Sequence, residues 1–159
     1  MALIRDIYLG IGSNVDPEIY LPQAIAKLKE AMEVVKVSTL YRCPAVGTAE
    51  GQNDFINGVL HVRSSQELEE FKYQTLRTIE HDLGRENLPC KHSPRTIDID
   101  IIFFGDLVQD DEKLPIPEPE LYQRNFIYIP LLEIAPELID PQTKKSVKSH
   151  ILSLEHKMT

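Results

Sequence analysis

Four short segments of the chain are apolar and rich in the β-branched and aromatic residues that strands favour. They cover residues 5–12, 34–42, 55–63 and 97–104. The first ends in a Gly/Ser/Asn turn, which is typical of a buried strand. In the second and third, apolar side chains recur every two positions and so share one face of an extended strand. The pattern therefore predicts four strands.

Apolar residues at helical spacing predict two helices between these strands. The first is expected from about Pro17 to Met32, since Asp16 can cap it and proline is favoured at the first helical position. Ser64 and Glu67 have the spacing of a capping box at the start of the second helix. That helix is expected to end at Gly84, because glycine is common just past a helix C-terminus.

The predicted order is strand, helix, strand, strand, helix, strand, which is the βαββαβ pattern of ferredoxin-like α+β folds. A right-handed crossover would place the first and third strands side by side in a mainly antiparallel sheet, with both helices on one face. Beyond Asp106 we expect a short strand near Leu107, an ordered segment from Asn125 to Ile134 and a frayed polar tail. This C-terminal extension should pad the core of a single domain spanning residues 1–159.

Two connections are longer than their positions require. Residues 43–54 join two strands that should form a hairpin, and residues 84–96 join the second helix to the last strand. Hairpin and helix-to-strand loops usually take roughly 2 to 6 residues. Loops of the observed length are commonly lids or binding loops, so both are candidates for function.

The composition excludes some classes of function. The chain has 159 residues, of which 42% are hydrophobic and 26% charged, and its 25 acidic residues against 17 basic ones give a net charge of −8. A broad basic surface for nucleic acid or anionic lipid is therefore ruled out. Cys43 and Cys90 are expected to be reduced thiols, and no apolar run approaches the roughly 20 residues of a membrane span. We expect a cytoplasmic protein.

The strongest chemical signal is the pair Asp98 and Asp100 in the last predicted strand. Residues two apart in a strand share a face, with Cα atoms roughly 6.5 to 7 Å apart, so the two carboxylates could grip one or two hard cations. Mg²⁺ prefers such oxygen ligands and often bridges them to substrate phosphates. The same face continues as Ile102 and Phe104, which favours this interpretation over an ordinary solvated strand face.

Two weaker signals accompany the aspartates. Arg85, Lys91 and Arg95 precede them in the long loop and could neutralise a polyphosphate, although a solvated basic loop would look the same. Phe55 and Asn57 share a strand face and could stack on and read the edge of a planar heterocycle, or serve only as core and sheet-end residues. Dinucleotide-fold and P-loop glycine motifs are absent from the sequence, as are local Ser-His-Asp, Cys-His and zinc motifs.

Five blocks of sequence resemble the 6-hydroxymethyl-7,8-dihydropterin pyrophosphokinase family of the folate pathway. They are GIGSN at 10–14, YRCPAVG at 41–47, DFINGV at 54–59, PRTIDIDIIFFG at 94–105 and RNFIYIPLLEIAPEL at 124–138. The resemblance implies a ferredoxin-like fold and transfer of the β,γ-diphosphate of ATP to the hydroxymethyl group of the dihydropterin, with release of AMP.

The resemblance also implies residue roles. Asp98 and Asp100 match the ligands of two Mg²⁺ ions, and Arg85 and Arg95 match phosphate-binding arginines. Positions lining the ATP site are matched by Arg77, Glu80, Lys91, Ile101 and Arg124. Positions that bind the pterin are matched by Phe55 and Phe126 as its aromatic sandwich, by Asn57 at its edge, and by Cys43, Pro44, Ala45 and Val46.

Three positions depart from the family pattern. Glu118 occupies a position where many members carry a phosphate-contacting His, and Leu88 and His92 occupy loop positions that are often basic or Trp. These changes predict weaker ATP binding. Two other classes stay open on the residues alone: a palm-like metal-dependent nucleotidyltransferase and a non-catalytic ligand-binding module of the same fold. Nothing in the sequence demands more than a monomer.

Overall fold

A five-stranded antiparallel sheet organises the chain. The computed structural model describes residues 3–44, 54–84 and 96–157. The strands are β1 (Arg5–Ser13), β2 (Glu33–Val37), β3 (Tyr41–Cys43), β4 (Phe55–Ser64) and β5 (Asp98–Phe104). Their order is β2-β4-β1-β5, and β3 pairs with β4 beyond the end of β2. The first and third predicted strands are thus neighbours, and the predicted ferredoxin-like α+β fold is confirmed.

Both predicted helices pack on one face of this sheet. They are α1 (Pro17–Ala31) and a second helical stretch made of α2 (Leu68–Glu70), a π-helical turn (Phe71–Leu76) and α3 (Arg77–Asp82). Their apolar side chains pack with alternate residues of β1, β4 and β5. Every helix in the described part of the chain is too short or too polar to span a lipid bilayer.

The C-terminal extension covers the opposite face of the sheet. It contains α4 (Asn125–Ile134) and α5 (Val147–Lys157), so the expected frayed polar tail is wrong. Val147 and Ile151 of α5 are buried together with Leu131 of α4 against Val59 of β4. Apolar residues four apart on a helix lie on one side, and these two give α5 the apolar side that the polar composition obscured. The extension does pad the core, as predicted.

A bulge near the end of β5 changes which residues share a face. The register with β1 shifts by one residue between Tyr8 and Leu9, which leaves Ile102 as the extra residue. Ile102 packs on the same face as the two aspartates, but Phe104 packs on the helix-covered face. The expectation that Phe104 continues the face of the aspartates is therefore wrong, because a bulge breaks the period of two.

Some predicted boundaries also shift. The strand predicted over residues 34–42 is divided by Ser38, whose hydroxyl accepts a hydrogen bond from the backbone of Val59 at 2.9 Å in place of a strand carbonyl. Ser64 ends β4 instead of capping the next helix, which begins at Leu68. Asp16 precedes α1 in a left-handed conformation without a side-chain cap, and Gly84 follows α3 with a φ of 83°, as predicted.

The candidate active site

A pocket of about 270 Å³ opens on the sheet face that carries the C-terminal extension. Its floor is formed by β1, β4 and β5, and its walls by the end of β3, the segment before α4 and the first turn of α4. The described residues that line it are Gly10, Ile11, Gly12, Cys43, Pro44, Phe55, Asn57, Gly58, Asp98, Asp100, Ile102, Glu118, Glu120, Arg124, Phe126 and Ile127. The pocket thus collects both the aspartates and the aromatic residues that the sequence indicated.

One side of the pocket can hold a flat ring. Phe55 and Asn57 lie two apart on β4 and Phe126 lies in the first turn of α4, and all three line the cavity. Gly12 of β1 is paired with Asn57 in the sheet, and a Cβ at Gly12 would lie only 2.5 Å from Asn57 Oδ1. Because Gly12 has no side chain, the Asn57 amide can occupy the space beside it and keep its present orientation.

The other side of the pocket carries Asp98 and Asp100. Both project from β5 into the cavity, as predicted for residues two apart in a strand. Burial, followed by the charge of Asp98, raises the pKa of Asp100 to about 7. Asp100 is exposed, but it lies in a concave pocket whose walls exclude part of the water around its carboxylate. A cation at this place would relieve the repulsion between the two carboxylates.

The segment before α4 brings further charges to the pocket wall. The backbone N–H of Glu118 donates to Ile102 O at 3.0 Å, which fixes Glu118 beside β5, and burial raises the pKa of its carboxyl. Arg124 forms an ion pair with Glu120 at 3.3 Å, and its guanidinium lies 6.0 Å from the Phe126 ring. The described lining therefore contains more carboxylates than guanidinium groups, and an anionic substrate requires added positive charge.

Three of the residues matched to the ATP site lie outside this pocket. Glu80 is buried and its carboxylate accepts a hydrogen bond from the backbone N–H of Ile99 at 3.0 Å. The side chain of Ile101 is buried in the core beneath the helices, and Arg77 lies over the Tyr73 ring at 4.8 Å. The structure places these residues around β5 and the second helical stretch, on the opposite side of the sheet from Phe55.

The remaining predicted site residues lie in the two long connections. Arg85, Lys91, Arg95, Ala45 and Val46 are outside the described residues, as are Leu88, His92 and Cys90. Cys43, at the end of β3, is a free cysteine that lines the pocket.

The pocket includes residues that sequence reasoning passed over. Gly10 and Gly12 belong to the GIGSN block but have no role predicted for them, although a glycine inside a strand often marks a close approach of another group. Ile127 and Glu120 carry no signal of their own, since only the packing of the C-terminal extension brings them to β5.

The described side chains supply few ligands for a metal ion. Among residues 3–44, 54–84 and 96–157, no group of three or more His, Cys, Asp or Glu side chains has the arrangement of a metal site. Two carboxylates on one strand are, however, the kind of partial oxygen set that Mg²⁺ accepts when phosphates and water complete its coordination.

Comparison with known proteins finds relatives of one kind of enzyme. A 2-amino-4-hydroxy-6-hydroxymethyldihydropteridine pyrophosphokinase of Aquifex aeolicus (strain VF5) is 41% identical over 143 residues, covering 89% of this chain and 88% of the relative. The protein of that name from Synechocystis sp. (strain ATCC 27184 / PCC 6803 / Kazusa) is 40% identical over 142 residues, covering 87% of this chain and 71% of the relative.

The fold has a solved counterpart as well. A crystal structure of HPPK-DHPS in complex with substrates superposes with a TM-score of 0.67 over 97% of this chain and 44% of that one, at 15% identity. Of the three classes that the residues left open, the relatives select the pyrophosphokinase. The family model for 7,8-dihydro-6-hydroxymethylpterin-pyrophosphokinase matches residues 8–136, so the chain belongs to this family and is an enzyme of the pyrophosphokinase step of folate biosynthesis.

Proposed function

We propose that the pocket between β5 and α4 is where the diphosphate of ATP is transferred to 6-hydroxymethyl-7,8-dihydropterin. The observation that carries this proposal is the convergence of Phe55, Asn57 and Phe126 with Asp98 and Asp100 on one cavity of about 270 Å³. A flat heterocycle between the aromatic rings would have its substituent directed toward the aspartates, where phosphates and cations would be held.

The pterin is held by stacking and by its polar edge. Phe55 and Phe126 supply apolar ring faces, and the Asn57 amide offers both a donor and an acceptor to the pterin ring. The backbone of the β3 end completes this side of the site. Cys43 and Pro44 line the pocket here, and the family resemblance adds Ala45 and Val46, which lie outside the described residues.

Asp98 and Asp100 would hold two Mg²⁺ ions together with the phosphates of ATP. Their carboxylates are hard oxygen ligands, and burial, followed by the charge of Asp98, raises the pKa of Asp100 and so makes two ionised carboxylates unfavourable here without a cation. When bound, such ions neutralise phosphate oxygens and make the β-phosphorus more electrophilic. This converts two acidic side chains into a platform for an anion on a protein of net charge −8.

The reaction is a displacement at the β-phosphorus. The hydroxymethyl oxygen of the pterin forms a bond to this phosphorus and loses its proton, while the bond from the phosphorus to the α,β-bridging oxygen breaks and AMP leaves. Arg85 and Arg95 would stabilise the developing charge on the phosphates. The residues proposed to surround the nucleotide are Arg77, Glu80, Lys91, Ile101 and Arg124.

Two residues of the proposed nucleotide set, Glu80 and Ile101, are buried and would act through the backbone of β5. The Glu80 carboxylate binds the backbone of Ile99, and the Ile101 side chain lies in the core. In the described part of the sheet β5 is an edge strand. Glu80 and Lys72 bind the backbone of Ile99 on this strand, so we place the contact with a nucleotide base at the backbone of Ile101. We place the enzyme in the cytoplasm, where ATP is available, and expect a monomer.

The test is AMP production by the purified protein from ATP, Mg²⁺ and 6-hydroxymethyl-7,8-dihydropterin. Asp98→Asn and Asp100→Asn should each lower kcat by at least about a hundredfold, since each removes a charged ligand that acts at the reacting phosphates. Asp106→Asn, at an exposed position just beyond β5, is the matched control and should keep parental activity. AMP formation that Asp98→Asn leaves undiminished would overturn the proposed role of the pair.

A further inference from the structure

A carboxylate outside the pocket connects two of its walls. Glu133, near the C-terminal end of α4, accepts hydrogen bonds at Oε2 from the backbone N–H and the hydroxyl of Thr39, both at 2.9 Å. Its Oε1 accepts a third hydrogen bond from the hydroxyl of Tyr41 at 2.6 Å. One side chain of α4 is therefore bound at three points to the β2–β3 link and the first residue of β3.

Each partner of this contact leads directly into the pocket. Tyr41 begins β3, and the pocket residues Cys43 and Pro44 follow it by two and three positions. Glu133 and Phe126 lie on the same ten-residue helix, seven positions and about two helical turns apart. Both residues lie on one continuous helix, in which Pro130 lacks the N–H that would bind the Phe126 carbonyl. Fixing Glu133 relative to Tyr41 therefore restrains Phe126 relative to the end of β3 through the helix as a whole.

The space between the two walls is a second crevice of about 300 Å³. It is lined on one side by Cys43 and Pro44 and on the other by Gln123, Arg124, Asn125, Phe126 and Tyr128. The walls thus face each other across open space near the pocket, and the Glu133 contact joins them at the far end of α4.

The electrostatics favour an ionised Glu133. The Tyr41 hydroxyl, and then the backbone N–H of Thr39, lower the pKa of the Glu133 carboxyl. The same hydrogen bond raises the pKa of the Tyr41 phenol. At neutral pH the contact therefore consists of an anionic acceptor and neutral donors, which is a strong type of hydrogen bond.

We propose that Glu133 is a positioning residue for the pterin: it sets the spacing between the end of β3 and the first turn of α4, and so the width of the pterin site. This inference rests on the proposed pterin-binding role of Phe55, Asn57 and Phe126. Glu133 is exposed to solvent, so its hydrogen bonds add little to global stability. Its effect is expected mainly in binding of the pterin, because Phe126 lies on α4 itself, whereas Arg124 of the nucleotide set precedes the helix and is also held by Glu120.

The experiment compares Glu133→Ala, Glu133→Gln and Tyr41→Phe with the parent protein. Direct titration with the pterin is followed by steady-state kinetics in which each substrate is varied. Glu133→Ala should weaken pterin binding and raise its KM roughly tenfold, equivalent to loss of one good polar contact. KM for ATP should stay within about twofold. Glu133→Gln should recover part of the loss, because its amide oxygen can still accept a hydrogen bond.

Tyr41→Phe removes a single hydroxyl at the surface and should raise the pterin KM by a smaller factor, at an unchanged unfolding temperature. Glu137→Gln, an exposed position beyond the end of α4, is the matched control and should have no effect. If the parent binds the pterin and Glu133→Ala binds it equally well, the positioning role is refuted while the pterin site stands. Failure of the parent to bind the pterin would instead refute the site on which the inference rests.

Discussion

Glu80 and Ile99 are joined by a hydrogen bond of 3.0 Å, from the backbone N–H of Ile99 to Oε2 of Glu80. Ile99 lies between the two aspartates of the site, and its carbonyl oxygen accepts a further hydrogen bond from Lys72 Nζ at 3.5 Å. The second helical stretch therefore contacts both polar backbone groups of the residue that separates Asp98 from Asp100. The buried Glu80 carboxylate holds the backbone from which the proposed metal ligands project.

Removing this carboxylate should affect both stability and catalysis. Glu80→Ala leaves the buried N–H of Ile99 without its acceptor, which should lower the free energy of unfolding by about 1–3 kcal/mol. Without this contact β5 should shift, and Asp98 and Asp100 should shift with it. We therefore expect a lower kcat, even at saturating ATP. Urea unfolding and the AMP assay measure the two effects.

Glu69→Ala is the matched control for Glu80→Ala, since Glu69 is an exposed acid in the same helical stretch. It should change neither quantity. A Glu80→Ala protein with parental kcat would show that the position of β5 at the aspartates does not depend on this contact.

The sequence was most informative where local pattern and topology agree. The helix from Pro17 and the strands carrying Phe55 and Asp98 were predicted to within a few residues, because apolar periodicity directly reflects which face is buried. The paired aspartates could be predicted for the same reason, since a period of two places them on one face.

What could not be predicted depends on long-range packing. The bulge at Ile102 arises from pairing between β1 and β5 and has no local signal. The burial of α5 depends on a cavity that other elements create, so its polar composition was misleading. The contact between Glu133 and Tyr41 spans 92 positions, and neither residue stands out in its own segment.

A buried polar contact in the C-terminal extension should matter for stability alone. The hydroxyl of Tyr122 donates to Asp140 Oδ2 at 2.6 Å, and Asp140 is almost completely buried. Tyr122→Phe should therefore lower the free energy of unfolding by about 1–3 kcal/mol, because a buried carboxylate loses a donor. The kcat per folded molecule should stay at the parental value, since neither residue lines the pocket.

The pH dependence of this Tyr122 effect has a defined sign. Burial, and then the hydrogen bond to Asp140, raise the pKa of the Tyr122 phenol above its ordinary value of 10.0. The stabilisation is therefore complete below pH 10 and is lost as the pH rises further, when the unfolded phenol ionises first. The difference between parent and Tyr122→Phe should narrow above about pH 10. A difference that widens there would contradict this assignment.

Gly12→Ala should weaken pterin binding selectively. The added methyl would lie 2.5 Å from Asn57 Oδ1, closer than real contacts allow, so the amide must move from its present orientation. We expect the KM for the pterin to rise by at least roughly tenfold, with a KM for ATP close to that of the parent. Gly10→Ala adds a methyl to the same pocket and is the comparison: the methyl would meet Ile102 side-chain atoms at 3.7 and 3.9 Å and not Asn57, so the KM for the pterin should rise less. Equal kinetic effects of the two substitutions would contradict the role given to Gly12.

When no cation is present, the ionised carboxylates of Asp98 and Asp100 should destabilise the folded protein. Burial and the charge of Asp98 raise the pKa of Asp100 from 3.8 to about 7, while Lys72 opposes this and Glu118 and Glu80 add to it. The folded protein thus binds a proton at Asp100 more tightly than the unfolded chain does. The stabilisation that results is complete below pH 3.8, where Asp100 is protonated in both states. The stabilisation is lost as the pH rises through about 7, where folded Asp100 ionises.

Asp100→Asn removes this ionisation, so the variant should gain stability over the parent as the pH rises. In metal-free buffer the unfolding temperature of the variant, relative to the parent, should be higher at about pH 8 than at about pH 5. When Mg²⁺ and a non-hydrolysable ATP analogue are added at the higher pH, the parent should have the higher unfolding temperature, because their binding stabilises the folded parent. The surface variant Asp106→Asn should show neither trend. A pH-independent difference for Asp100→Asn would mean that the two carboxylates are not in electrostatic conflict, and the argument that a cation belongs between them would lose its physical basis.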